Sequence, residues 1–369
     1  MYILIFIVVL FVLVLVHEWG HFFVAKKIGM RVDEFGIGFP PRIMGIKKGE
    51  TLYSVNALPL GGFVRIFGEE ALEDESQGEG PTSYENDRSF NRRPKWAQIL
   101  VLVAGIGANI IFAWLLFTLA LSTGVLTSVS PEEASPAAEL HILDVLPGSP
   151  AAKAGIPAGA IVSGLASRGE TVAPRTPEEF STFVGRSGGS PVAVSYTYNG
   201  TDAHVEIVPE TGVLESEPGK AAVGVSLGLA EMRALPLHIA LAEGFMMTAT
   251  GVRDIAQGLF SLIASAIGGQ ADIEQVRGPV GIAVLVRDAS SMGFSALLIF
   301  TAFISLSLAV INIFPFPALD GGRLLFVIIE AIKGSPIPAK VAYYTNTAGF
   351  AVLVLLMIAI TYHDIARLV

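Results

Sequence analysis

Cysteine is absent from the 369-residue chain. Disulfides, iron–sulfur clusters and thiolate zinc sites are thereby excluded. Any transition metal must be held by histidine and carboxylate. Histidine is scarce as well: the chain has His17, His21, His141, His204, His238 and His363. Charge is the third shortage. Charged residues make up 15% of the chain, against about 25% in an average soluble domain. Hydrophobic residues reach 52%, and mean hydropathy is +0.61. So apolar a chain cannot hide its side chains in a water-soluble core, which disfavours disorder, a fibre and a plain cytosolic enzyme. The net charge of −9 argues against a nucleic-acid partner.

The apolar content is concentrated in four runs, approximately 2–25, 96–125, 294–316 and 341–362. About 20 apolar residues span a bilayer, so each is long enough to cross. The first run lacks the basic start and small-residue cleavage site of a signal peptide, and it stops at Lys26-Lys27. Lys and Arg placement sets the orientation. Eleven fall between Lys26 and Lys95, nine in the far longer stretch from Leu126 to Gly293, and Arg323, Lys333 and Lys340 separate the last two runs. The first and third loops are therefore expected in the cytoplasm. The long middle stretch and both termini are expected outside, with Arg367 a weak contrary sign. In the first loop, the run Glu69, Glu70, Glu73, Asp74, Glu75 and Glu79 reads as a solvated, mobile loop rather than a partner site. Residues 53–67 read as a β-hairpin broken at Pro59-Leu60-Gly61-Gly62, with an edge on which an extended peptide can pair.

The middle stretch begins with a linker over 127–139, rich in Ser, Pro, Glu and Ala. A small α+β domain over 140–212 is expected after it. Strands are predicted at 142–146, 160–166, 192–198 and 203–208, the last two joined by the turn Asn199-Gly200. Ser149-Pro150 caps a short helix ending at Gly155, and Thr176-Pro177-Glu178-Glu179 is a capping box opening another through Val184. The segment Asp144 to Ile156, DVLPGSPAAKAGI, followed by Pro157-Ala158-Gly159, resembles a PDZ domain of the bacterial protease type. That family usually has Asp where this chain has Ala160, and only one such unit is present. A small domain without a peptide grip is the alternative. Residues 213–293 read as a linker with an amphipathic helix over 238–267, lying on the outer membrane surface because Arg253 and Asp254 are costly at mid-bilayer.

The chemistry-bearing motif is His17-Glu18-Trp19-Gly20-His21, or HExxH. On a helix, residues i and i+4 share a face, so both imidazoles can grip one ion while Glu18 stands beside it. Catalytic zinc needs a third protein ligand and an open water position. Glu18 is placed to take a proton from the attacking water and deliver it to the leaving amine. Chance is a poor explanation here, since ionisable groups inside a span are expensive and functional by default. Downstream of His21, Asp33 and Glu34 are near in sequence, and the next histidine, His141, is in the middle domain. The stretch Asn312-Ile-Phe-Pro315-Phe-Pro317-Ala-Leu-Asp320-Gly321-Gly322-Arg323 places Asp320 at the cytoplasmic end of the third run, at matching depth. An Asp before Gly-Gly is otherwise an ordinary turn residue. Beside HExxH it reads as the third ligand.

HExxH in the first span and NxxPxPxLDGG late in the chain resemble the paired signature of site-2 proteases, above all the bacterial RseP-type regulator-of-sigma proteases. Further matches are Phe35-Gly36-Ile37-Gly38, Leu58-Pro59-Leu60-Gly61-Gly62, Gly278-Pro279-Val280-Gly281 and Asp364-Ile-Ala-Arg367-Leu. The resemblance implies Zn²⁺ on His17, His21 and Asp320, with Glu18 as catalytic base. It implies a four-span α-helical polytopic protein of the bacterial inner membrane, with a membrane-reentrant β-hairpin and one inserted extracytoplasmic PDZ domain. Divided by position, the chain is then 1–126, 140–212, 213–293 and 294–369. Single-pass membrane proteins are the implied substrates, such as anti-sigma factors or signal-peptide remnants. The outer domain would bind new C-termini or exclude bulky proteins. Gly61, Gly62 and Phe63 on the hairpin and Asn312 fall where the family holds substrate. Asn109 is a further substrate-binding candidate, a polar group aimed at the site, or a packing amide. It follows Gly105-Ile106-Gly107-Ala108, where the family usually has Gly-Pro, so a straighter helix is expected. Two other readings compete: a non-catalytic scaffold with a structural metal, and a zinc transporter, which would need more than one ligand cluster.

Overall fold

The computed structural model describes residues 2–69, 87–198, 200–213, 217, 219–269 and 277–367. The acidic run beyond Glu69, and Asn199 of the Asn-Gly turn, lie outside these residues. In chain order, α1 (Tyr2–Ile28) leads into β1 (Val32–Lys48) and β2 (Thr51–Ile66), followed by α2 (Lys95–Thr123). Next come β3 (Val125–Val129), β4 (Glu139–Val145), α3 (Pro150–Lys153), β5 (Ile161–Ser167), β6 (Glu170–Val172), α4 (Pro177–Arg186), β7 (Val192–Tyr198), β8 (Thr201–Ile207) and β9 (Val225–Arg233). The chain then runs through α5 (Leu237–Ile267), α6 (Pro279–Ser291), α7 (Phe294–Ile313), α8 (Asp320–Lys333) and α9 (Ala339–Ala366). Two compact units result: Met1–Ala120 with Pro236–Val369, and Leu121–Leu235.

Among the described residues, α1, α2, α7 and α9 are the helices long and apolar enough to cross a membrane. Their positions match the four apolar runs. α1 stops because Gly29 takes φ +86°, leaving Met30 N–H to bond back to Ala25 O at 2.9 Å. Lys26 and Lys27 sit in that last turn, where a helix C-terminus favours cations.

The β-structure after α1 is larger than the sequence reading. That reading paired the two halves of 53–67 with each other. In the structure Glu34 to Ile37 runs between them, with Gly62 to Arg65 on one side and Leu52 to Val55 on the other. Met44 to Lys48 pairs with Thr51 to Val55 around a turn at Gly49-Glu50. The two long strands thus form four segments, with residues 62–66 at one edge. A core of Ala25, Met30, Val32, Ile66, Phe90, Ala97, Val101, Leu102 and Val327 joins this sheet to α1, α2 and α8.

α5 packs its buried stripe Ala240, Gly244, Thr248 and Gly251 along α2 and α7. A Cβ on Gly244 would lie 2.8 Å from Thr118 Oγ1, and one on Gly251 2.8 Å from Leu306 Cδ1. Small residues at this spacing allow helices to approach closely. At α9, buried Asp364 accepts from the N–H groups of Gly278 (3.2 Å) and Gly281 (2.7 Å), capping the first turn of α6.

The second unit is a seven-stranded sheet in the order β3-β9-β4-β5-β7-β8, with β6 beside β5. Phe180, Phe183 and Val184 of α4 pack into its core with Leu140, Ile142, Leu165, Val192, Val194 and Leu229. Ser149 Oγ accepts from Ala152 N–H at 3.2 Å, and Thr176 Oγ1 from Glu179 N–H at 3.2 Å, as the two caps predict. This unit extends beyond 140–212 at both ends. β3 straddles the end of the second apolar run and the start of the stretch read as linker, and β9 lies in the stretch assigned after the domain, yet β9 pairs with both β3 and β4.

Candidate metal centre

The HExxH face of α1 is buried because α1 and α2 touch backbone to backbone. A Cβ on Gly20 would lie 2.5 Å from Ala104 O, and one on Gly105 2.3 Å from His21 Nε2. Neither position tolerates a side chain. His17, Gly20 and His21 are all buried on the same side of α1 as Leu13 and Ala25. Behind the HExxH face, His21 Nδ1–H donates to the Val101 carbonyl at 2.8 Å.

Asp320 arrives from the other end of the chain. Pro315 and Pro317 prevent α7 from continuing, and Ala318 turns the backbone at φ +73°. Asp320 then opens α8. The doubling back is tight: a Cβ on Gly321 would meet Phe314 O at 2.2 Å, and one on Gly322 Phe316 O at 2.3 Å. Gly321 and Gly322 are therefore steric requirements of this turn.

These elements bring three donors together. Asp320 Oδ2 lies 2.8 Å from His17 Nε2 and 3.3 Å from His21 Nε2, and the two Nε2 atoms are 3.1 Å apart. Both histidines are 8% exposed. With Nδ1–H of His21 committed to a carbonyl, both Nε2 atoms face Asp320 Oδ2, and His17 Nε2 is within hydrogen-bonding distance of that oxygen. Two imidazoles and one carboxylate within 4.8 Å of one another form a group that can hold a metal ion, and a catalytic zinc site of this kind uses three protein ligands and one open position. A cavity of about 730 Å³, lined in part by Lys95, Gln98, Arg323, Glu330 and Tyr343, reaches Asp320.

The remaining residues singled out from sequence divide into those beside the cluster and those away from it. Glu18 is outside the donor cluster and faces the sheet: its Cγ is 3.8 Å from where a Cβ on Gly62 would stand. Gly61 lies against Val14 and Phe39. Phe63 stacks on Phe39, ring centroids 6.4 Å apart, and covers Gly36. Asn109 is fully buried and points at His17, its Nδ2 3.5 Å from Nδ1. Asn312 is half-buried in the last turn of α7, and no hydrogen bond joins it to the three donors. Asp33 pairs with Arg31 at 2.6 Å, and Glu34 accepts from Ser54 at 2.5 Å, so neither nearby acid joins the cluster. The sequence reading missed the parts that hold the cluster from behind: Gly20, Gly105 and the Val101 carbonyl. The glycine of HEWGH and the four-residue spacing Val101, Gly105, Asn109 were the available signals.

The model of peptidase family M50 matches residues 5–356. The chain belongs to peptidase family M50, the site-2 proteases. Relatives align along almost their whole length. A Clostridium perfringens protein named as a zinc metalloprotease is 36% identical, over 99% of this chain and 98% of its own. The zinc metalloprotease RasP of Oceanobacillus iheyensis is 30% identical, over 98% of both chains. The regulator of sigma-W protease RasP of Bacillus subtilis is 27% identical, also over 98% of both. Among solved structures, the PDZ domain of an SdrC-like protein from Listeria monocytogenes aligns with 26% of this chain and 92% of its own, at 18% identity and a TM-score of 0.21. As a family member, the chain is a metalloprotease whose cofactor is zinc.

Proposed function

We propose that the chain hydrolyses peptide bonds within the membrane-spanning segments of single-pass proteins, with zinc held by His17, His21 and Asp320. The observation that carries this reading is the position of the donor set. Two of its members sit in the second half of a membrane-crossing helix, and the third opens the helix that follows another span. Bound zinc polarises a carbonyl and lowers the pKa of its water to about 7. Glu18 accepts the proton of the attacking water and passes it to the leaving amine. His21 is oriented through the Val101 carbonyl.

A substrate helix satisfies its own backbone hydrogen bonds, so it must unwind to be cut. Each freed N–H or C=O costs several kcal/mol in hydrocarbon. The edge segment at residues 62–66, next to Glu18 and reentrant into the membrane in this reading, supplies new partners by strand addition. Gly62 and Phe63 are its leading residues, Gly61 precedes them, and Asn312 adds an amide from α7. The cavity beside Asp320 gives water a route.

The biased Lys and Arg distribution supports a bacterial inner-membrane protein with the zinc site toward the cytoplasm. The second unit, as a PDZ domain, and both termini are then outside. The B. subtilis relative is named for sigma-W regulation. Anti-sigma factors and signal-peptide remnants are accordingly the substrates proposed here, with the outer unit gripping their C-termini or excluding uncut proteins. The test is a model single-pass substrate reconstituted with the purified chain in liposomes, its products mapped by mass spectrometry. Chelator-sensitive cuts inside the apolar segment are expected. Cuts confined to the soluble flanks would overturn intramembrane cleavage.

A further inference from the structure

Asn109 is placed unlike a substrate contact. It is 0% exposed, and its backbone carbonyl is pinned by the Ser305 hydroxyl at 2.8 Å. Its Oδ1 is buried without a hydrogen-bond partner, while its Nδ2 faces His17 Nδ1 at 3.5 Å. A buried, unsatisfied amide oxygen costs about 1–3 kcal/mol. Amide oxygen and nitrogen have the same outline, so their placement follows from the partners they serve. A His17 that gives its Nε2 lone pair to a metal carries its proton on Nδ1, and that proton needs an acceptor.

From this we infer that Asn109 is the positioning residue of His17: with zinc bound, its amide turns so that Oδ1 accepts from His17 Nδ1–H. The turn gives Oδ1 a donor and fixes the His17 tautomer in one step, with Nδ2 taking the place that Oδ1 leaves. Val101 and Asn109 then act as a pair. They lie eight residues apart on one face of α2, with Gly105 between them admitting the His21 ring. Val101 O holds one ligand from behind and Asn109 Oδ1 holds the other. α2 thus presents a backing surface for both histidines and contributes no ligand itself.

The inference rests on the His17, His21 and Asp320 assignment, so its test separates the two. Zinc affinity is measured on the purified full-length protein by competition with a chromophoric chelator, for the wild type, Asn109→Ala, Asn109→Asp and His17→Ala. Loss of such a partner lowers metal affinity by about 10–100-fold, and that is expected of Asn109→Ala. Asn109→Asp keeps an acceptor at the same place and should bind within a few-fold of wild type. Cobalt(II) loading gives a second readout, since the visible spectrum of the ion follows its ligand geometry. Asn109→Ala should alter that spectrum and Asn109→Asp should preserve it. If Asn109→Ala binds zinc and displays the cobalt spectrum like wild type, Asn109 does not position His17. An Asn109→Asp variant as weak as Asn109→Ala contradicts the acceptor role. A substrate-holding amide would leave affinity and spectrum unchanged in both variants. If His17→Ala binds like wild type, the ligand assignment itself fails and this inference with it.

Discussion

Gly105 shows how narrow the tolerance around the proposed metal centre is at the scale of one residue. Its missing side chain leaves the volume that the His21 ring fills, with 2.3 Å between an added Cβ and Nε2. Gly105→Ala should push the ring off either the Val101 carbonyl or the donor cluster. Overpacking of this kind costs about 1–3 kcal/mol, and zinc affinity should fall at least about tenfold, as for other changes that disturb ligand orientation. A Gly105→Ala protein with wild-type affinity in chelator competition would show that the α1–α2 contact does not set the site. Asp320→Asn keeps the size of the third donor and removes its charge. It should weaken zinc binding and abolish cleavage, and metal analysis of the purified variant checks this directly.

At the scale of elements, the β-turn after α1 is tied down by charge. Glu50 accepts from Lys26 at 2.8 Å and from Arg88 at 2.6 and 2.8 Å. The Arg88 guanidinium foremost, with Lys26, holds the Glu50 carboxyl down to about 2, despite an opposing effect of burial. A carboxylate with a depressed pKa stabilises the fold fully above its unfolded value of about 4.3. That contribution is lost as pH falls from there through about 2. Hydrogen exchange at residues 44–55 should therefore accelerate across that window in wild type. It should already be faster at neutral pH in Glu50→Gln, by an amount reflecting about 1 kcal/mol or less, as expected for a partly exposed pair. Equal protection in the two proteins would remove the clamp. Ser149→Ala, which deletes the cap of α3, should cost the second unit about 1 kcal/mol, read as a lower melting temperature.

Elements governed by local rules were legible in the sequence. The four spans follow from uninterrupted apolar runs, the two caps from Ser149 and Thr176, and the shared face of His17 and His21 from four-residue spacing. The meeting of Asp320 with both histidines came from reasoning about depth and from the paired motifs. What escaped depends on partners far along the chain. Nothing near Glu34 announces that it will separate two halves of a later segment. β9 carries an alternating pattern but finds its neighbours, β3 and β4, about 85–105 residues upstream. Glycines at Gly20 and Gly105 read as ordinary helix-weakening residues until the second helix is in place.

At the scale of the whole molecule, the absence of cysteine makes topology directly measurable. Any introduced cysteine is the sole reactive thiol. Lys47→Cys and Glu178→Cys place one in the β-structure after α1 and one in the second unit, both at exposed positions. A membrane-impermeant maleimide should label Glu178→Cys on intact cells, and Lys47→Cys only after lysis. The reverse pattern would invert the proposed orientation. Catalysis by a zinc site inside the membrane, with Glu18 moving the proton, is tested most directly by measuring cleavage of a single-pass substrate and zinc content together in purified Glu18→Gln. The account predicts full zinc occupancy with no detectable cleavage, since the ligands are untouched and the base is gone. Cleavage at a wild-type rate by zinc-loaded Glu18→Gln would contradict it.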